Sequence, residues 1–284
     1  MPYEVDIAEV RARYPEFEVL RALSPSEQKA AFKIRSKNGE VLCLKLVAPK
    51  YQLGRLQREL LALRQVKHPH IAAFREYTLS VEPGKERHHI IEEFVEGSDL
   101  REHLVPDKRW SCEAAVPFFL QLCDALDELR RQRLVHRDLK PSNVRVRDDG
   151  SPVVIDFGLA RHLDLPSITR TAAGARIGTP IYFSPEQFLG TKRDIDHRTD
   201  LFALGILMYE ALTGTHPFWR MGMTLDELCD EVCHSASCFE RDEFSELTSK
   251  WQAVVRRLLA KERIHRPLQA GHVAKVLKGM GDES

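Results

Sequence analysis

"LVHRDLKPSNVRVRDDGSPVVIDFGLA", residues 134–160, is the stretch on which the reading of the chain turns. Two short apolar segments, 144–147 and 153–155, flank an Asp-Asp-Gly turn at 148–150, the pattern of a tightly connected strand pair. Asp138, Lys140 and Asn143 precede the first strand and Asp156 follows the second, so pairing would bring both polar ends toward one site. A carboxylate with an amide oxygen makes a hard oxygen site for magnesium. A second carboxylate and a lysine position a hydroxyl nucleophile and neutralise phosphate charge. As a set these residues suit phosphoryl transfer; each alone is equally at home in a solvated polar loop with ordinary ion pairs.

Upstream, segments 17–20, 30–35, 41–47, 71–77 and 89–94 read as strands, with Asn38 and Gly39 turning the second into the third. One helix interrupts them, since Leu53, Leu56, Leu60 and Leu63 recur at spacings of three and four. Val41, Cys43, Lys45 and Val47 share one strand face, so Lys45 sits among apolar neighbours and needs a partner. Glu59, on the polar side of the helix, is the natural candidate.

Downstream the periodicity turns helical. Val116, Phe119, Leu120, Cys123, Leu126 and Leu129 form one stripe, 201–212 reads as a buried helix, and further helices are expected near 248–260 and 270–278. The outline is an α+β chain: an N-terminal extension (1–16), a small strand-rich lobe (17–95), a larger helical lobe (96–278) and a tail (279–284). A hinge near 93–99 would join the lobes, and ligands commonly sit in clefts between such lobes.

Composition narrows the partners. Forty-two basic and forty-two acidic residues cancel, so no global field points to nucleic acid or an anionic membrane. The run at 201–212 is too short to span a bilayer and contains Glu210. Residues 1–14 are charged and carry no apolar signal segment, which makes a cytoplasmic location the expectation. The six cysteines, at 43, 112, 123, 229, 233 and 238, are expected to be free thiols. Cys229, Cys233, His234 and Cys238 lack paired C-x-x-C spacing and read as ordinary helix and loop residues rather than a zinc site.

"HRDLKPSN" (136–143) and "DFG" (156–158) resemble the catalytic loop and metal-binding motif of the eukaryotic-like, or Hanks-type, protein kinases. The similarity continues through "GTPIYFSPE" (178–186), "DLFALG" (200–205) and "RIHRP" (263–267), and covers about residues 17–278. It implies a bilobal fold with a small antiparallel β lobe and one main helix beside a larger helical lobe, and ATP and Mg2+ as cofactors. Asp138 would accept or orient the substrate hydroxyl proton, Lys140 would stabilise the transferring phosphoryl, and Asn143 and Asp156 would hold magnesium. Lys45 paired with Glu59 would position the α and β phosphates, while Glu93, Val95, Asp99 and Arg145 would border the nucleotide. Lys140, Gly178 and Thr179 resemble serine/threonine rather than tyrosine kinases, and a segment like "GTPIYFSPE" argues for a protein substrate over a small molecule. Glu186 with Arg266, and Asp200, resemble scaffold residues.

"TRTAAGARIGT" (169–179) is similar to the activation segment of bacterial serine/threonine kinases, where a Thr-x-Thr pair is autophosphorylated. Thr169 and Thr171 occupy those places, Thr179 lies at the segment's end, and Arg137 would grip a phosphothreonine. Self-association for autophosphorylation is the matching expectation.

Three departures concentrate on the nucleotide. "LSPSEQ" (23–28) stands where the family's glycine-rich loop would lie and has no glycine; Pro25 lacks an N–H and Glu27 would repel phosphate. Glu92 replaces an apolar gatekeeper, and Arg145 replaces the leucine under the adenine. By strand alternation Val144 and Val146 face the core and Arg145 faces the cleft, where it would stack on the base or pair with an acid such as Glu92. An active serine/threonine kinase with atypical nucleotide contacts is the leading expectation. The alternative is a pseudokinase serving as a binding or scaffold module. The ending "KGMGDES" leaves room for a catalytic domain cut from a longer chain.

Overall fold

The computed structural model describes residues 2–25, 29–48, 62–79, 88–156, 180–190 and 195–281. They fall into two compact units, one through Glu96 and one from Gly97. The first is built on a five-stranded sheet of order β1-β2-β3-β5-β4, comprising β1 (Glu18–Ala22), β2 (Lys29–Arg35), β3 (Val41–Val47), β4 (Phe74–Leu79) and β5 (His88–Glu93). Neighbouring strands are antiparallel throughout. The Asn38-Gly39 turn closes β2 onto β3, with Gly39 at φ 86, a conformation glycine adopts without strain. Strand β4 begins at Phe74 rather than at 71, because the Ile71 N–H is taken by the His68 carbonyl in a turn.

Every residue of β3 after Val41 is buried, so both faces of this central strand are covered. Leu42, Leu44 and Leu46 pack into a cluster with Val10, Tyr14, Val19, Phe32, Ile34 and Ile91. Val10 belongs to helix α1 (Ile7–Arg13), which starts where the Asp6 carboxylate accepts the Ala8 N–H at 2.6 Å, an N-cap that satisfies one orphan donor of the first turn. Tyr14 ends that helix, and its hydroxyl lies 3.2 Å from Nδ1 of His89 on β5. Residues read from sequence as an extension thus supply part of the core. Burying side chains of this size contributes about 1.5–3 kcal/mol each.

The second unit is mainly helical: α2 (Cys112–Arg131), α3 (Arg198–Thr213), α4 (Leu225–Cys233), α5 (Ser249–Leu258) and α6 (Ala270–Gly281). It also holds a small sheet of order β6-β7-β8, from β6 (Ser98–Asp99), β7 (Val144–Val146) and β8 (Pro152–Val154). Helix α3 is buried on all sides over most of its length, as its all-round apolar sequence requires. A Cβ on Gly205 would meet Leu258 Cβ at 2.8 Å, so this glycine lets α3 and α5 approach closely.

Helix α4 carries Cys229 and Cys233, as their reading as helix and loop residues allows, and Thr224 and Glu227 form a capping box that marks its start. Its Cys229 and Cys233 have sulfurs 4.0 Å apart. None of the six cysteines is in a disulfide, and among the described residues no group of three His, Cys, Asp or Glu side chains could hold a metal ion. Among them, too, no helix is long and apolar enough to cross a membrane.

Candidate active site

Strand β7 pairs with β8 through Val144–Val154, Arg145–Val153 and Val146–Pro152. Beyond the open end of this hairpin, the Ile155 N–H donates to the Asn143 carbonyl at 2.9 Å, which ties the segment entering β7 to the one leaving β8. Asn143 closes a short 3-10 turn, Pro141–Asn143. Its side-chain Nδ2 donates to the Asp138 carbonyl at 2.7 Å and to Asp138 Oδ2 at 3.0 Å. Lys140 Nζ lies 3.0 Å from Asp138 Oδ1 and 2.8 Å from Oδ2. One carboxylate is therefore held by an amide and an ammonium together.

With both amide hydrogens committed, Asn143 has its Oδ1 left as an acceptor. The Asp156 carboxylate follows on the adjoining strand end, on a backbone at φ 65, a left-handed conformation that aspartate tolerates better than most residues. Two hard oxygen donors on neighbouring strand ends suit a divalent cation of oxygen preference.

The loop carrying Asp138 is anchored from below. Asp200, in the first turn of α3, accepts the His136 N–H on Oδ2 and the Arg137 N–H on Oδ1, each at 2.7 Å. Burial pushes the Asp200 carboxyl up, against the opposing pull of His136, Arg137 and the two N–H donors. Arg137 itself has φ 66, a strained position for a long side chain. The strain is held on both sides, because Gln187 Nε2 donates to the Arg137 carbonyl at 2.9 Å. His136 is wholly buried, its Nε2 lying 2.9 Å from the Ile155 carbonyl while its Nδ1 takes the Asp138 N–H at 3.3 Å. A carbonyl can only accept, so the ring is the Nε2–H tautomer.

Gln187 and His136 were not singled out in the sequence. The capping box Ser184-Pro-Glu-Gln187 was a signal for the first; the second opens the "HRDLKPSN" stretch, which marked its place but not its role.

Glu186 and Arg266 form a buried two-pronged pair, Nη1 to Oε1 at 2.7 Å and Nη2 to Oε2 at 2.8 Å. Arg266 spends its other hydrogens on the carbonyls of Ala260, Arg198 and Lys261, and Thr199 donates to Glu186 Oε1 at 2.7 Å. Burial alone would raise the Glu186 carboxyl; the guanidinium overrides it and holds the group below its usual range.

In the first unit Lys45 is buried and ion-paired with Glu92 of β5, itself buried. The expected partner, Glu59, lies outside the described residues, as do Thr169, Thr171, Gly178, Thr179 and the loop residues 26–28. Glu93 accepts the Ala73 N–H at 3.0 Å on its carboxylate, and Val95 is buried. Arg145 points away from the core as alternation requires, yet its acid is not Glu92. Nη1 meets Asp99 Oδ1 at 2.7 Å and Nη2 donates to the Gly97 carbonyl. The register explains the correction: Asp99 lies directly opposite Arg145 across β6 and β7, whereas Glu92 is engaged by Lys45 within the other sheet.

Residues 23–276 match the protein kinase domain family. The chain belongs to this family. Among relatives of the kinase domain is the probable serine/threonine-protein kinase SCO3848 of Streptomyces coelicolor, 32% identical over 221 residues, which cover 77% of this chain and 32% of that protein. The probable serine/threonine-protein kinase PknB of Bifidobacterium longum is 31% identical over 219 residues, 75% of this chain and 31% of its own length. The kinase domain thus spans about a third of the length of these relatives. The crystal structure of Rad53 1-466 in complex with AMP-PNP matches with a TM-score of 0.72 at 22% identity, over 93% of this chain and 65% of that one, a likeness of fold. The kinase domain is therefore Hanks-type, and its relatives include bacterial serine/threonine members.

Proposed function

We propose that this kinase domain transfers the γ-phosphoryl group of ATP to serine or threonine hydroxyls of proteins, with Mg2+ as the metal. The observation that carries the reading is the convergence of Lys140 and Asn143 on the Asp138 carboxylate. Asp138 orients the incoming hydroxyl and takes its proton as the new O–P bond forms and the bond from the γ-phosphorus to the bridging oxygen breaks, releasing ADP. The Lys140 ammonium offsets negative charge on the group in transfer. Asn143 Oδ1 and the Asp156 carboxylate would hold the metal, which when bound neutralises phosphate oxygens. Lys45 would engage the α and β phosphates, and Glu93, Val95, Asp99 and Arg145 would border the nucleoside.

Activation by phosphorylation of Thr169 or Thr171, with Arg137 as the receiving guanidinium and self-association bringing two chains together, extends the same proposal, as does a contact of Thr179 with the substrate segment. Six cysteines with no disulfide among them support a reducing, cytoplasmic setting. A purely scaffolding role is disfavoured, because Lys45, Asp138, Asn143 and Asp156 are all retained.

Incubation with labelled ATP and Mg2+, with Asp138→Asn as control, tests the reading. Label on the chain itself or on a generic basic protein, lost in the control, is the expected result. No incorporation, together with no thermal shift by ATP, would overturn it.

A further inference from the structure

Lys45 and Glu92 sit on the two central strands of the N-terminal sheet. Cys43 is opposite Glu92 and Lys45 is opposite Ile90, so Lys45 and Glu92 are diagonal neighbours on one sheet face, within reach of long side chains. Their relative exposures are 3% and 7%, and the ion pair joins them directly. A buried carboxylate is tolerated only when paired, and removal of either partner leaves an uncompensated charge. The pair is therefore built into the sheet and has no freedom to drift on the surface.

We propose that Glu92 is a positioning residue for Lys45: a carboxylate mounted on a strand holds the lysine for the nucleotide from inside the sheet. The inference rests on the reading of Lys45 as a phosphate-binding residue. An ammonium has three donors, so Lys45 can keep Glu92 and still reach a phosphate oxygen. Both residues are carried by paired strands in mid-sheet, so their separation is fixed by the backbone ladder. The lysine's place then depends on β3 and β5. The same residue explains why a charge is tolerated where the family usually has an apolar side chain: its charge is spent on Lys45.

The test is steady-state kinetics for ATP, with calorimetric ATP binding in parallel, on the whole chain and on Glu92→Gln, Glu92→Met, Glu59→Gln and Asp138→Asn. Misplacing a phosphate-binding group costs at least about tenfold in kcat/KM. The expected result is a loss of that size in both Glu92 variants, with weaker ATP binding. A merely structural role would lower the melting temperature and leave the kinetics of the folded fraction unchanged.

Glu92→Met with wild-type kcat and KM overturns the inference and leaves the catalytic reading standing, whatever the loss in Glu59→Gln. ATP binding without turnover, in wild type and Asp138→Asn alike, sinks the catalytic reading, and calorimetry on the Glu92 variants then decides the inference. A wild-type chain that binds no ATP overturns both.

Discussion

Arg145 stands directly opposite Asp99 across the β6–β7 pair, its guanidinium 2.7 Å from the carboxylate and hydrogen-bonded to the Gly97 carbonyl as well. Gly97 has no room for a side chain, since a Cβ there would lie 2.0 Å from the Val146 carbonyl oxygen. Arginine, glycine and aspartate together lock residues 97–99 onto the strand that follows the catalytic loop.

If Arg145 occupies the nucleotide's floor, Arg145→Leu returns an apolar surface to the base and releases Asp99. The KM for ATP should fall several-fold with kcat little changed. The lost pair is partly exposed, so the stability cost should stay near about 1 kcal/mol. Initial rates against ATP concentration, with a thermal melt, check both statements. A raised KM would mean that the guanidinium itself contacts the nucleotide.

Asp200→Asn keeps the shape of the anchor under the catalytic loop but brings an amide toward two backbone donors that need acceptors. Arg137 should relax from its left-handed conformation and Asp138 should shift with it. We expect kcat to drop by about ten- to a hundredfold while ATP affinity, measured by calorimetry, holds. An unchanged kcat would show that Gln187 alone suffices to hold Arg137.

Removing one side of the Glu186–Arg266 pair strands a buried charge. Arg266→Met should cost about 3–5 kcal/mol in urea unfolding at pH 7, and the double variant with Glu186→Gln should recover part of it. The folded Glu186 carboxyl titrates below its ordinary value, so its contribution is fully present above about pH 4.5 and is lost as pH falls through the lowered folded value. Wild type should therefore lose stability in acid faster than the double variant.

Glu210 of α3 reports on alkaline pH. Burial pushes its carboxyl up to about 8, against the lowering effect of the Tyr182 hydroxyl, which donates to it at 3.0 Å. The fold keeps the proton that the unfolded chain releases near pH 4.5, so the stability deficit grows from there to about pH 8 and then levels off. Glu210→Gln should melt higher than wild type at pH 9, with the gap narrowing toward pH 5. Equal melting curves at both pH values would show that the carboxyl is ionised in the fold.

Much of this was legible because it is local. The Asp-Asp-Gly turn and the polar residues around it announced the β7–β8 hairpin and the group around Asp138, and the 3.6-residue stripe announced α2. Alternation put Arg145 on the face opposite Val144 and Val146, as observed. Its partner was not legible, because choosing between Asp99 and Glu92 requires the register of two strands nearly fifty residues apart in sequence. Lys45 advertised its need for an acid in the same way and pointed to Glu59, which lies outside the described residues; that Glu92 also meets the need follows only from the pairing of β3 with β5. Gln187 was missed for a different reason: its task is to hold a backbone carbonyl, which leaves no mark on sequence chemistry.

The helix at the start of the chain reaches further than its seven residues suggest. The family match begins at Leu23, yet the apolar face formed by Phe32, Ile34, Leu42 and Leu44 is closed by Val10 and Tyr14. A fragment cut to the family's borders would keep every residue proposed to do chemistry and still begin life with an oily wound across its five-stranded sheet. The stretch that carries the proposed chemistry and the stretch that closes the core around it are different lengths of the same chain.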